Sequence, residues 1–273
     1  MSVDTAMGAI WSHALKILAL GLALLVVWGT FSLVAWAKPP EGKNKPDSPS
    51  FAQVGDLTVQ LVAPSDLVQV DGLVPAADAF VEAMKERFKL RVLGLYAEPE
   101  AFQFFAEGMA NQRGRQIPRL ALISVPTRMD KKKYDLKAVN KEKSRYREWF
   151  SLAVNTRPLA WIFGRKANTK LKEKLGVNLD FSYQTGDETG RFDERDRSLS
   201  FTVLTNMTPY SFKSEVLIAA SVLNIGDKLV FLSWMEPFKG PESLIKAKSA
   251  NLGWLFELAR LNDVELKPVV ENE

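Results

Sequence analysis

The sequence predicts an α/β (α+β) fold: an N-terminal transmembrane helix followed by an α/β/α sandwich on a mainly antiparallel sheet. Three observations carry that reading. Ile17 to Ala37 run for 21 residues without a charge, between Lys16 and Lys38. As a helix, that run covers about 30 Å, one hydrocarbon core. Beyond residue 50 the apolar spacing switches repeatedly between helical and strand periods. The last two strand-like runs are apolar on both faces, which calls for cover on both sides.

The chain divides into a hydrophobic helix at 1–37, a linker at 38–50 and a soluble domain at 51–273. Two readings fit the first part. A cleaved secretory signal needs an apolar core of about 7–15 residues and a small-x-small site, and Ala35-Trp36-Ala37 supplies the site. A retained anchor fits the longer run and the apolar Phe31, Leu33, Val34 and Trp36 just before that site. Trp11 and Trp36 near the two ends also suit an anchor, as interface residues. The anchor is the favoured reading. Lys38, Lys43 and Lys45 outnumber Lys16, which argues for a cytoplasmic domain. A short N-terminal tail before a signal-like segment argues for export. The expected location is the cell membrane, single-pass, with the domain on the periplasmic side; release after cleavage near Ala37 is the alternative.

Lys38 to Ser50 is rich in Pro, Ser and charge, and reads as an extended disordered tether. The domain follows. Leu57 to Val62 alternates as a first strand. Asp78 to Phe88 places Phe80, Met84 and Phe88 at i, i+4 and i+8, an amphipathic helix. Leu90 to Tyr96 reads as a strand, Glu98 to Met109 as a helix, and Leu120 to Val125 as a buried strand. Leu136 to Val154 is a helix with Val139, Tyr146, Trp149, Phe150 and Ala153 on one side and Lys/Arg on the other. A weaker helix covers Leu159 to Leu175. Short strands then follow at Phe181–Tyr183, Leu199–Leu204, Ser214–Leu223 and Lys228–Trp234. The last two form a hairpin over Asn224-Ile225-Gly226-Asp227. Pro241 to Leu261 is a closing helix that offers Ile245, Leu252, Leu255, Phe256 and Ala259 to the sheet.

Composition excludes several chemistries. The 273 residues hold no cysteine and one histidine, His13, which precedes the domain. Thiol catalysis, Cys-ligated metals, a Ser-His-Asp triad and histidine metal sites therefore have no ligands or bases in the domain. Net charge is +4, yet Arg128 to Lys174 hold 15 Lys/Arg against five Asp/Glu, a local +10. The rest of the chain is thus acidic.

Asp196 to Leu204, the Val216–Leu232 hairpin and Trp254 to Asn262 resemble the PsbP/DcrB-like superfamily, which ends in a strand, a glycine-turn hairpin and a long helix. The matching positions are Gly226, Lys228, Trp254 and Asn262, and the resemblance spans Leu179 to Asn262. It implies an α/β/α fold and a non-enzymatic module of photosystems, small GTPases or bacterial envelopes. The cysteine of lipid-anchored envelope members is missing here, and the hydrophobic segment could replace it.

The candidate sites are few. Lys131, Lys132, Lys133, Lys141, Lys143, Arg145, Arg147, Arg165 and Lys166 form a basic region suited to anionic lipid head groups. Solvated helix faces are the plain alternative, and an exported domain rarely meets nucleic acid. Asp187, Glu188, Asp193, Glu194 and Asp196 form an acidic run that reads as a charged hairpin loop rather than a Ca²⁺ site, because arginines sit among them. Ser243-Leu-Ile-Lys246 matches the S-x-x-K pattern without its companion motifs. Asn206-Met-Thr208 is a formal glycosylation sequon. No cofactor or metal is called for. The expectation is a membrane-tethered, exported, non-catalytic module that binds an unidentified protein or envelope component. The rivals are anionic-surface binding through 128–174, and a hydrolase using carboxylates or a Ser-Lys pair.

Overall fold

A computed structural model describes residues 50–73, 75–99, 101, 118–155, 190–207 and 214–269. The hydrophobic segment, the tether up to residue 49, the helix expected at Leu159–Leu175, the strand at Phe181–Tyr183 and most of the helix at Glu98–Met109 lie outside those residues. Among the described residues, no helix is long and apolar enough to cross a membrane.

The elements run β1 (Ser50–Val54), β2 (Leu57–Leu61), β3 (Val68–Gln69), α1 (Pro75–Phe88), β4 (Leu90–Ala97), β5 (Leu120–Pro126) and α2 (Leu136–Asn155). They continue with β6 (Gly190–Arg195), β7 (Ser198–Met207), β8 (Ser214–Ile225), β9 (Lys228–Pro237) and α3 (Pro241–Leu261). Strands β1 and β2 pair with each other. The other seven form one sheet in the order β3-β4-β5-β9-β8-β7-β6, and every neighbouring pair is antiparallel. The mixed α+β composition and the antiparallel sheet agree with the sequence reading.

Residues paired across antiparallel strands share a face. Tyr96, Ala121, Trp234 and Ala219 therefore lie on one face, and Leu95, Leu122, Ser233 and Ala220 on the other. Helix α3 meets the first face. Trp254 packs edge-on against Tyr96 at 5.9 Å between ring centroids, and Asn251 Nδ2 donates to the Ala219 carbonyl at 3.2 Å. The Ser221 hydroxyl donates to Asn251 Oδ1 and lies 2.8 Å from Ser200 Oγ, so this buried polar row is satisfied internally. Helix α2 sends Tyr146 edge-on against Phe231 at 6.2 Å, and Phe231 alternates to the face opposite Trp234. The first nine residues of β9 are buried, as its apolar run without alternation predicts.

Three local expectations need correcting. The linker was expected to extend to Ser50, but Ser50 opens β1, which pairs residue for residue with β2. The acidic run was expected to be a loop, but its described part from Gly190 to Arg195 is edge strand β6, paired with β7. The sheet-facing side of α3 agrees with the expected one only in part. Leu255 and Ala259 are buried as expected, together with Leu244, Ala247, Asn251, Trp254 and Leu258, and Leu252 is half-buried, whereas Ile245 and Phe256 are 65% and 39% exposed. Asn251 and Trp254 fix the inward side through their bonds to the sheet face and to the Val62 carbonyl. A stripe drawn from apolar side chains without them keeps Leu255 and Ala259 and misplaces Ile245 and Phe256.

Candidate functional site

Two hairpins in this chain turn on the same dipeptide. Gly55-Asp56 joins β1 to β2, and Gly226-Asp227 joins β8 to β9, with glycine φ angles of 61° and 57°. Both angles are left-handed, where glycine carries no Cβ penalty. The fold brings the two turns together and places two lysines across their carboxylates. Lys133 Nζ lies 3.2 Å from Asp56 Oδ2 and 3.3 Å from Asp227 Oδ2. Lys228 Nζ lies 2.7 Å from Asp56 Oδ1 and 3.6 Å from Asp227 Oδ1, and donates to the Lys132 carbonyl at 3.4 Å. The Lys228 and Lys133 hydrogen bonds hold the Asp56 carboxyl well below the usual range. Asp56 and Asp227 in turn push the Lys133 ammonium up.

A third carboxylate locks the same corner. Asp130 accepts from Arg91 at 2.6 Å and from the Gly55 amide at 3.0 Å, while Arg91 also donates to the Gln53 carbonyl. A Cβ on Gly55 would lie 2.7 Å from the Asp130 carbonyl oxygen and 3.0 Å from Lys228 Nζ.

All four positions that carry the family resemblance turn out to hold the β1–β2 hairpin and the residues just after it. Gly226 faces Leu57, whose Cδ2 would lie 3.4 Å from an added Cβ. Lys228 holds Asp56. The Trp254 indole donates to the Val62 carbonyl at 2.8 Å. Asn262 accepts from the Gln60 amide at 2.8 Å and donates to its carbonyl at 2.9 Å. It thereby satisfies the outer edge of β2, a place where unpaired strand groups otherwise invite association. These residues hold the fold.

The basic region divides under inspection. Lys131, Lys132 and Lys141 are exposed and have no ion pair to a described residue. Lys133 is engaged in the turn cluster. Lys143 is 2% exposed, so it does not belong to a surface set. It lies 3.1 Å from Glu194 and donates to the Arg195 and Asp196 carbonyls. Arg145 pairs with Glu142 at 2.6 Å. Arg147 pairs with Glu194, its Nε 2.9 Å from Oε2. Arg165 and Lys166 lie outside the described residues.

Glu194 is thus held by three cations, since Arg191 reaches its Oε2 at 3.0 Å. Burial works to raise its pKa, but the Arg147 and Lys143 bonds outweigh burial and hold it down at about 2. Burial pushes the Lys143 ammonium down, against the pull of Glu194. Asp193 lies 3.2 Å from Arg195, and Asp196 accepts from the Arg197 and Lys267 amides at 2.9 Å each. Asp187 and Glu188 lie outside the described residues. Among those described, no three His, Asp or Glu side chains group as a metal site.

The S-x-x-K pair performs helix work. Ser243 Oγ donates to the Gly240 carbonyl at 2.7 Å and accepts from the Lys239 amide at 3.1 Å, tying the first turn of α3 to the residues before it, while Lys246 is exposed. Burial raises the carboxyls of Asp71 and Glu236. Asp71 accepts from the Leu95 amide at 2.7 Å, and Glu236 accepts from the Trp234 indole at 2.9 Å. Asn206 sits inside β7, opposite Glu215.

Sequence reasoning missed Asp56 and Asp130. For Asp56 a signal was present. Val54-Gly55-Asp56-Leu57 repeats the Gly-Asp turn of Ile225-Gly226-Asp227-Lys228, and such a turn ahead of the alternating run Leu57 to Val62 marks a hairpin.

No protein-family profile matches the chain, and no curated protein matches it. Two solved structures show a likeness. One is the Ran-binding protein Mog1p of Saccharomyces cerevisiae, 10% identical over 79% of this chain and 94% of that one, with a TM-score of 0.27. The other is LpqN of Mycobacterium tuberculosis, involved in cell envelope biogenesis, 10% identical over 84% of this chain and 88% of that one, with a TM-score of 0.25. At these scores the fold is argued from the chain's own strand order, and neither neighbour assigns a partner.

Proposed function

We propose that this chain is a membrane-tethered, exported, non-catalytic module that binds a protein or envelope component. Its domain is read as an α/β/α sandwich of the PsbP/DcrB-like kind, held at the membrane by residues 17–37. One observation supports the non-catalytic reading above the rest. Among the described residues, the acids and the serine that the sequence offered for chemistry are engaged in the fold. Ser243 bonds the Gly240 carbonyl and the Lys239 amide, Glu194 is held by three cations, and Asp193 and Asp196 bind Arg195 and backbone amides. Crosslinking of the full-length chain in native membranes tests the reading. A single partner crosslinked to an intact chain in carbonate-washed membranes is the expected result. Release of a shortened chain into the soluble fraction would overturn the tether. Hydrolytic turnover lost in Glu236→Gln or Ser243→Ala would establish the enzyme instead.

A second reading, contact with an anionic surface through 128–174, has its own support. Lys131, Lys132, Lys137 and Lys141 remain exposed and without an ion pair to a described residue, while Lys133, Lys143, Arg145 and Arg147 are engaged.

A further inference from the structure

We propose that Lys131, Lys132, Leu136, Lys137 and Lys141 form one edge that seats the domain on an anionic bilayer, lysines at the phosphates and Leu136 at the acyl boundary. The proposal rests on the tethered reading above and names the surface that meets the membrane.

The four lysines are exposed, and none has an ion pair to a described residue. The local acids are engaged elsewhere. Asp130 binds Arg91 and the Gly55 amide, and Asp135 caps α2 through the Ala138 amide at 2.7 Å. On α2, Lys137 and Lys141 stand one turn apart, while Val139, Lys143 and Tyr146 take the inner side. Leu136, beside Lys137 at the start of α2, is 47% exposed. An exposed apolar side chain in a run of lysines that make no ion pair to a described residue matches the interface between head groups and acyl chains.

Chain geometry favours a bilayer over an acidic protein as the occupant. The Lys133–Asp56 bond fixes this edge beside the β1–β2 turn. Four residues of β1 separate that turn from Ser50, a distance of about 15 Å. The stretch 38–49 can span at most about 40 Å when extended. A domain on so short a leash stays within reach of the membrane that holds residues 17–37.

Full-length chain in nanodiscs tests the edge, with phosphatidylcholine alone in one set and added phosphatidylglycerol in the other. Lysine acylation is read residue by residue by mass spectrometry. The expected result is a fall of about fivefold in the modification of Lys131, Lys132, Lys137 and Lys141 on the anionic discs, the ratio that about 1 kcal/mol per lysine gives. Lys85 on α1 and Lys246 on α3 should keep their rates. Buried Lys143 and Lys228 report folding in every sample. Leu136→Asp should remove the protection while Lys143 and Lys228 stay unreactive. Equal rates on both discs, with the chain embedded, would overturn the edge and leave the tether standing. A chain that enters neither disc would sink the tether instead. Protection that needs an added membrane extract, and not phosphatidylglycerol, would overturn the lipid assignment in favour of an acidic protein.

Discussion

Lys131, Lys132 and Lys133 are three identical side chains in a row, yet the fold puts them to opposite uses. Lys133 joins Lys228, Asp56 and Asp227 in a cluster whose charges cancel. Lys131 and Lys132, one and two residues away, keep their charge in solvent. The comparison separates formal charge from available charge. The +10 counted over 128–174 shrinks wherever a lysine or arginine is already bound to an acid outside that stretch, Asp56, Asp227 or Glu194. The turn cluster is part of the folded core's edge, whereas the lysine edge is surface that the fold does not need.

The sharpest way to break the comparison is to remove Lys228. Its side chain is 1% exposed, so Lys228→Ala deletes a buried stem as well as the ammonium, at a cost of about 2–4 kcal/mol. Lys228→Met keeps most of the stem and relieves the ammonium's desolvation, so its cost should be a small fraction of that. Urea unfolding of both variants checks the order. Equal losses would mean that the ion pairs, and not the packed stem, secure the hairpin.

The twin turns provide the next test. Gly55→Ala and Gly226→Ala both force a left-handed alanine, at about 1 kcal/mol. At Gly55 the new Cβ also meets a backbone oxygen at 2.7 Å, whereas at Gly226 it meets only the tip of Leu57 at 3.4 Å. Gly55→Ala should therefore lose about 1 kcal/mol more than Gly226→Ala, measured by thermal unfolding in one buffer.

The cluster around Glu194 should be read through pH. Its carboxyl titrates at about 2 in the fold against an ordinary 4.5. A depressed acid stabilises the fold fully above its unfolded pKa, and that contribution fades as pH falls through 4.5 toward 2. The stability gap between the wild-type chain and Glu194→Gln should thus be widest near pH 6–7 and narrow steadily below about 4.5. A gap independent of pH would show that the Lys143, Arg147 and Arg191 contacts act through packing.

Much of the sheet was legible because its strands announce themselves by pattern. β8 and β9 are long apolar runs around a Gly-Asp turn, and β5 is bounded by Pro118 and Pro126. The elements that escaped, β1, β3 and β6, have mixed or partial burial and strong charge or short length, so period-2 patterning is weak in Ser50-Phe-Ala-Gln-Val, absent over the two residues of β3 and hidden in Gly190-Arg-Phe-Asp-Glu-Arg. The site was less legible still. A basic count cannot show which cations find an acid, because Lys133 meets Asp56 and Asp227 across 77 and 94 positions of sequence. Lys143 reads as a surface lysine on an amphipathic helix, and becomes buried because Glu194 and two carbonyls wait on β6 and its turn.

The smallest expected effect is also the one that most directly separates the two regions. Lys131→Glu with Lys132→Glu changes the net charge by four units but touches no described ion pair, so stability should move by no more than about 0.5 kcal/mol, as for an ordinary surface change. Lys133→Glu changes the charge by two units and places a third carboxylate between Asp56 and Asp227. It should lower the melting temperature further than the double variant does, despite the smaller charge change. High salt should shrink that difference, since Lys133 and Asp56 are both well exposed and screened. If the double variant is the less stable of the two, the triplet acts as one surface and its division between fold and membrane edge is wrong.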